Sequence, residues 1–249
     1  MSYIYSDTSD GIISKSGSSL SNSREASSGS VSNLSSSSDK GVFRAASTSG
    51  RQSLTYHFTR SFFWFDTSGV TDCTSVSLEL RGFTSTIDSG ESIVVMKSDA
   101  FGGNGSAALA STDFNNILNW DGASGMASAS KYSAAPSINM ASWVTNDYNS
   151  IPLSSGANND INNNDYIIVC CVSYKYDYLK VAPIASGFGG GALTNNVGCF
   201  HSGTTRRPRL SITHSTTTAL NKVNTVSFAS IGKVNSLVTA SIGKINTVD

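Results

Sequence analysis

Residues able to do chemistry are few in this chain, and they are scattered. Histidine occurs only at His57, His201 and His214, so a nucleophile would have a short choice of general bases. His57 and His214 fall inside stretches that read as strands, where an imidazole held by its neighbours is the plain reading. No GxSxG, HExxH or phosphate-binding glycine loop occurs. Glycoside hydrolysis needs two carboxylates at a fixed separation, yet the acidic residues lie mostly in turn-like stretches. Asp66 and Asp72 read as acceptors for turn amides. The chain is therefore expected not to be an enzyme.

Binding chemistry is better represented. Tyr174, Tyr176 and Tyr178 alternate with Lys175 and Asp177, which on a strand places three rings on one face. Aromatic faces beside polar groups suit sugars, because a ring stacks on C–H surfaces while hydroxyls take hydrogen bonds. Trp120 joins these tyrosines as a candidate for glycan contact, and core packing is the alternative reading of the same stripe. Trp64 is assigned to the core. In the stretch NNDINNND, Asp160 and Asp165 with Asn158, Asn159 and Asn163 offer hard oxygen ligands on an expected flexible loop, as calcium prefers. The spacing matches no EF-hand, and turn-filling explains the same residues. Cys73, Cys170, Cys171 and Cys199 form no CxxC pair and read as reduced core thiols, with Cys170 and Cys171 on opposite faces of one strand.

These side chains must be positioned by strands. Gly, Ser, Thr and Asn abound, and only 14% of the 249 residues are charged, a composition that opposes helix and favours strands joined by turns. Acidic and basic residues balance at 17 each, so no long-range field draws in nucleic acid. No apolar run is long enough for a membrane helix, and MSYIYSDTSDG lacks the basic and apolar segments of a secretory leader. Neither membrane insertion nor nucleic-acid binding is expected.

The strongest strand signal is YHFTRSFFWFD, residues 56–66. Phe58, Phe62 and Trp64 fall on one face, Phe63 and Phe65 on the other, as in a central strand. SVSLELRGF, SIVVMKS, DYIIVCCVSY, NVGCFHSG and PRLSITH supply further strands. Ile167 to Val172 run without a polar break, while Leu210, Ile212 and His214 share a face. The serine-rich first 50 residues carry short apolar beats at Tyr3–Tyr5, Ile12–Ile13 and Val42–Phe43 and read as edge strands of the same domain. One short helix at most is predicted, within residues 111–120, with Asp113 near its cap.

Beyond residue 214 the character changes. LNKVNTVSFAS, IGKVNSLVTAS and IGKINTVD repeat with a period of 11 residues. The repeat puts apolar Leu220, Ile231 and Ile242, and again Val223, Val234 and Ile245, at equivalent positions. Units this small cannot bury their own apolar side, so they gain stability by stacking on each other or on other chains. The tail reads as an oligomerisation or docking segment.

RSFFWFDTSG and the later RRPRLSITH resemble DNRLRE-type and related carbohydrate-binding-module-like jelly rolls, over residues 1 to about 214. SDAFGG, TDFNNI, ASWVTNDYNSI, and INNNDYIIV followed by YDY look more particularly like modules of tailed-phage virion structural proteins. The IGKVN-type tail recurs in such proteins, and no catalytic domain accompanies the module. The resemblance implies an all-β, jelly-roll-like β-sandwich over 1–214 and a repeat extension over 215–249. It implies a head decoration, head fibre or tail-associated protein for surface display and attachment, assembled in a host cytoplasm. Its expected partners are other virion proteins, copies of itself with a homotrimer favoured by analogy with fibres, and a host-surface glycan. The alternative is a free microbial carbohydrate-binding protein.

Overall fold

The computed structural model describes residues 1–7, 9–33, 40–49, 54–86, 91–183, 193–199 and 206–215. The chain divides into two units, Met1–Ser215 and Thr216–Asp249. The second unit, with all six apolar positions of the repeat from Leu220 to Ile245, lies outside the described residues, as does His201.

The first unit is all-β and is organised around two long strands. β5 (Leu54–Asp66) pairs antiparallel with β2 (Gly11–Gly17) and β4 (Lys40–Ser49), and its last six residues pair with β9 (Tyr166–Ser173). β6 (Cys73–Thr86) pairs with β11 (Arg209–His214) and β8 (Tyr148–Pro152) along its first part and with β10 (Leu193–Cys199) toward its end. β1 (Ser2–Tyr5) flanks β11, β3 (Ser30–Asn33) flanks β2, β7 (Ile93–Lys97) flanks β9, and β10 also pairs with β4. These eleven strands form one multi-stranded antiparallel sheet network.

Alternation along β5 and β9 sorts their side chains into two separate cores. Phe63, Phe65, Val169 and Cys171 meet Leu78, Leu80, Ile151, Leu210 and Ile212 in one cluster. Phe58, Phe62, Cys170 and Val172 meet Val94, Met96, Phe101, Phe114 and Met126 in the other. Ile167 to Val172 are all buried, which explains an apolar run without alternation: both faces of β9 are covered. Trp64 packs at the edge of the second core, where the backbone of Gly105 (φ 81°) lies so close to the indole that a Cβ would overlap it. Cys73, Cys170, Cys171 and Cys199 are buried and form no disulfide, and burial pushes the Cys171 thiol up to about 12.

Two predicted features take another form. The Asn/Asp-rich stretch expected as a flexible loop folds largely into α2 (Ser155–Asn163), although Asn and Gly are poor helix formers. Ala157 and Ile161, four residues apart, insert into the first core, and that burial outweighs local preference. Asn162 holds the start of β6 by accepting from Cys73 N (2.8 Å) and donating to Cys73 O (2.9 Å), while Asn158 donates to Thr74 O (2.8 Å). The helix predicted within residues 111–120 is a single 3-10 turn, Ser111–Asn115. A second short helix, α1 (Leu20–Arg24), is capped by Ser19 Oγ, which accepts from Asn22 N. Among the described residues no helix is long and apolar enough to cross a membrane.

Candidate functional site

The predicted tyrosine stripe does not form. Tyr174–Tyr178 is a π-helical turn, so its rings do not share a strand face. Two acceptors, one local and one distant in sequence, bend the chain there. Ser173 Oγ accepts from Tyr176 N (3.1 Å), and the buried Glu91 carboxylate accepts from Lys175 N (3.2 Å), Ser92 N (2.9 Å) and Ser173 Oγ (2.9 Å). Tyr176 and Tyr178 are buried, and Tyr174 stacks on Tyr178 with ring centres 5.7 Å apart. Burial raises the Glu91 carboxyl above its ordinary range, and hydrogen bonds from Ser92, Lys175, Ser173 and Tyr174 oppose that rise only in part.

The turn and Trp120 instead enclose two arginines that the sequence did not mark as site residues. Arg60 of β5 grips Asp177 with two hydrogen bonds, Nε to Oδ2 at 2.7 Å and Nη2 to Oδ1 at 2.8 Å. Its remaining donors reach Phe114 O, Asn115 Oδ1 and Arg24 O. Arg24 donates from Nε and Nη2 to Asp177 O, and from Nη1 to Ser124 O. Both guanidinium groups face the Trp120 ring, at 4.9 Å for Arg60 and 5.0 Å for Arg24, and Arg60 also lies 4.1 Å from the centre of the Phe114 ring. Arg24 and Arg60 are fully buried and Asp177 nearly so, so their donors and acceptors are satisfied inside the protein. The arrangement joins β5, α1 and two loops; it leaves Trp120 and these tyrosines as walls of a polar staple.

Asp160 lies on α2, beside a small cleft that Lys97, Asp99, Tyr132, Asn164 and Tyr166 also line. Its Oδ2 accepts from Lys97 Nζ (2.8 Å) and Tyr132 OH (2.6 Å), so an ammonium already occupies one carboxylate oxygen. Burial, with the neighbouring carboxylate of Asp160, pushes the Tyr132 phenol far up. Asp165, one residue before β9, accepts through its carbonyl from Thr67 N, away from the residues that line this cleft. Asn158 turns toward Thr74 instead. The structure thus does not bring Asn158, Asp160 and Asp165 together on one point. Among the described residues no group of three or more His, Cys, Asp or Glu is placed to hold a metal.

A chain of hydrogen bonds with the order of a serine nucleophile occurs at the end of β1 and β11. Ser2 Oγ lies 2.6 Å from His214 Nε2, and His214 Nδ1 lies 2.6 Å from Asp72 Oδ1. His57 lies between two hydroxyls across β2, β5 and β4, with Ser16 Oγ at 2.7 Å from Nδ1, Thr48 Oγ1 at 3.2 Å from Nε2, and no carboxylate on its ring among the described residues. Each imidazole bridges neighbouring strands through short polar side chains. The geometry is that of a cross-strand tie.

The outward face of β1, β11, β6 and β8 carries the exposed ring of Tyr3 and the half-buried ring of Tyr148. Arg209 lies between two rings, with its Cζ 3.9 Å from the centres of both Tyr3 and Tyr148, and its Nε donates to Glu79 Oε2 at 2.7 Å. Arg207 lies 5.7 Å from the Tyr5 ring. Register explains the assembly: Arg209 opposes both Tyr5 and Glu79, and Arg81 opposes Tyr148. The signal was present in PRLSITH and SYIY, since Leu210 and Ile4 facing inward send Arg209 and Tyr3 outward.

No protein-family model, no curated protein and no solved structure matches the chain.

Proposed function

We propose that the chain is a non-enzymatic structural protein of a tailed-phage virion, a jelly-roll-type sandwich that serves surface display and attachment and assembles through its repeat tail. The observation that carries this reading is the set of partners of Arg60. Three separated segments carry the resemblances: RSFFWFDTSG that to carbohydrate-binding-module-like jelly rolls, TDFNNI and YDY that to virion modules. The guanidinium of Arg60, from the first, binds Phe114 O and Asn115 Oδ1 of the second and Asp177 of the third. Residues that carry the likeness in sequence are therefore those that hold the fold together, and they point to a rigid scaffold rather than a reactive centre.

The Tyr3–Arg209–Tyr148 face favours a second reading, a free carbohydrate-binding protein. Antibody labelling of intact particles under the electron microscope separates the two. Repeated label at fixed surface positions is the expected result; label only on material free of particles overturns the virion reading.

A further inference from the structure

We propose that the outward face of β1, β11, β6 and β8 binds an acidic glycan, a polysaccharide that carries carboxylates. The proposal deepens the attachment reading above and rests on it. Its surface consists of Tyr3 and Tyr148, the arginines Arg81, Arg207 and Arg209, and Glu79.

Shape and rigidity come first. Tyr3 is 46% exposed although one ring face lies against Arg209, so it offers the stacking surface that a sugar ring needs. Arg209, clamped by two rings and by Glu79, holds the tyrosines in place. A ligand meets a platform whose ordering has been completed by folding, which reduces the entropy lost on binding. Serines at positions 75, 77 and 150 project to the same side by strand alternation and keep the surface between the rings low.

Charge selects the ligand class. Arg81, Arg207 and Arg209 gather here beside Glu79, with buried Asp10 and the Ser6 carbonyl beside Arg207, whereas the whole chain has equal numbers of acidic and basic residues. Glu79 pairs with Arg209. Arg81 and Arg207 each have an Nε shielded from solvent that finds no acceptor among the described residues. Guanidinium groups beside aromatic rings match a carboxylate on a sugar, since the fork geometry accepts two oxygens while the ring stacks. A polynucleotide fits less well, because a balanced chain gives no extended field along a phosphate backbone.

Isothermal titration of the full chain with three probes tests this: hyaluronan oligosaccharides, dextran oligosaccharides and oligothymidylate. Hyaluronan should bind, dextran should not, and affinity should fall as NaCl rises from about 50 to about 300 mM. Tyr3→Ala and Arg81→Gln should each weaken hyaluronan by about tenfold, at an unchanged melting temperature. Tyr3→Phe, which keeps the ring, should retain affinity. No hyaluronan binding, equal binding of dextran, preference for oligothymidylate, or wild-type affinity in both weakened variants overturns the proposal. A chain present in particles that fails these titrations refutes the glycan face alone; one that passes them but is absent from particles refutes the virion reading alone.

Discussion

Arg60 and Asp177 stand 117 residues apart in sequence and meet through two hydrogen bonds of 2.7 and 2.8 Å, out of reach of solvent. Removing one charge leaves the other buried and unpaired, which generally costs about 3–5 kcal/mol. Asp177→Asn should therefore lower the midpoint of chemical denaturation by that equivalent, or prevent soluble folding. Because Asp177 Oδ1 also lies 3.3 Å from Arg24 Nε, replacing Arg60 and Asp177 together with apolar residues should not restore the loss, since Arg24 would stay buried without that carboxylate. If Asp177→Asn unfolds at the wild-type denaturant concentration, the staple contributes nothing to stability.

Glu91 gives the fold a pH dependence of known sign. Burial raises its carboxyl in the folded chain, whereas the unfolded chain returns it to about 4.5. Its contribution to stability is full below that unfolded value and is lost as pH rises through the higher folded value, because the native state holds the proton more tightly. Glu91→Gln mimics the protonated carboxyl and still accepts from Ser92 N and Lys175 N. The variant should lose less stability than wild type between pH 5 and pH 8 in urea unfolding, with each pKa unit removed equal to about 1.4 kcal/mol. A variant that falls in parallel with wild type removes Glu91 as the source.

Ser2, His214 and Asp72 allow a direct check on catalysis. As a cross-strand tie, the set should give no ester hydrolysis above the buffer rate with p-nitrophenyl acetate, and Ser2→Ala should leave that baseline unchanged while slightly loosening β1. A wild-type rate that Ser2→Ala abolishes would make the set a nucleophilic centre.

What the sequence made legible depended on range. Apolar alternation is a local signal, and it placed Phe58 and Phe62 on one side of β5 and Phe63 and Phe65 on the other, where the two cores lie. It likewise separated Cys170 from Cys171, which enter different cores. The same rule failed at Tyr174–Tyr178, because the turn is imposed by Ser173 and by Glu91, which lies 84 residues before Lys175. It failed at α2, where Ala157 and Ile161 find their apolar partners on distant strands. The candidate site was least legible. Arg24 and Asp177 are 153 residues apart, and neither residue type nor spacing announces that they share a site. The Tyr3–Arg209–Tyr148 stack joins strands from both ends and the middle of the domain; it follows from strand order, which alternation does not encode.

If the chain is built into a virion, mass spectrometry of density-purified particles, with peptides counted against the major shell protein, should find peptides from both Met1–Ser215 and Thr216–Asp249 at a fixed ratio of several copies per particle, retained through repeated banding. Infectious, banded particles that lack the chain would show that it is not a virion component.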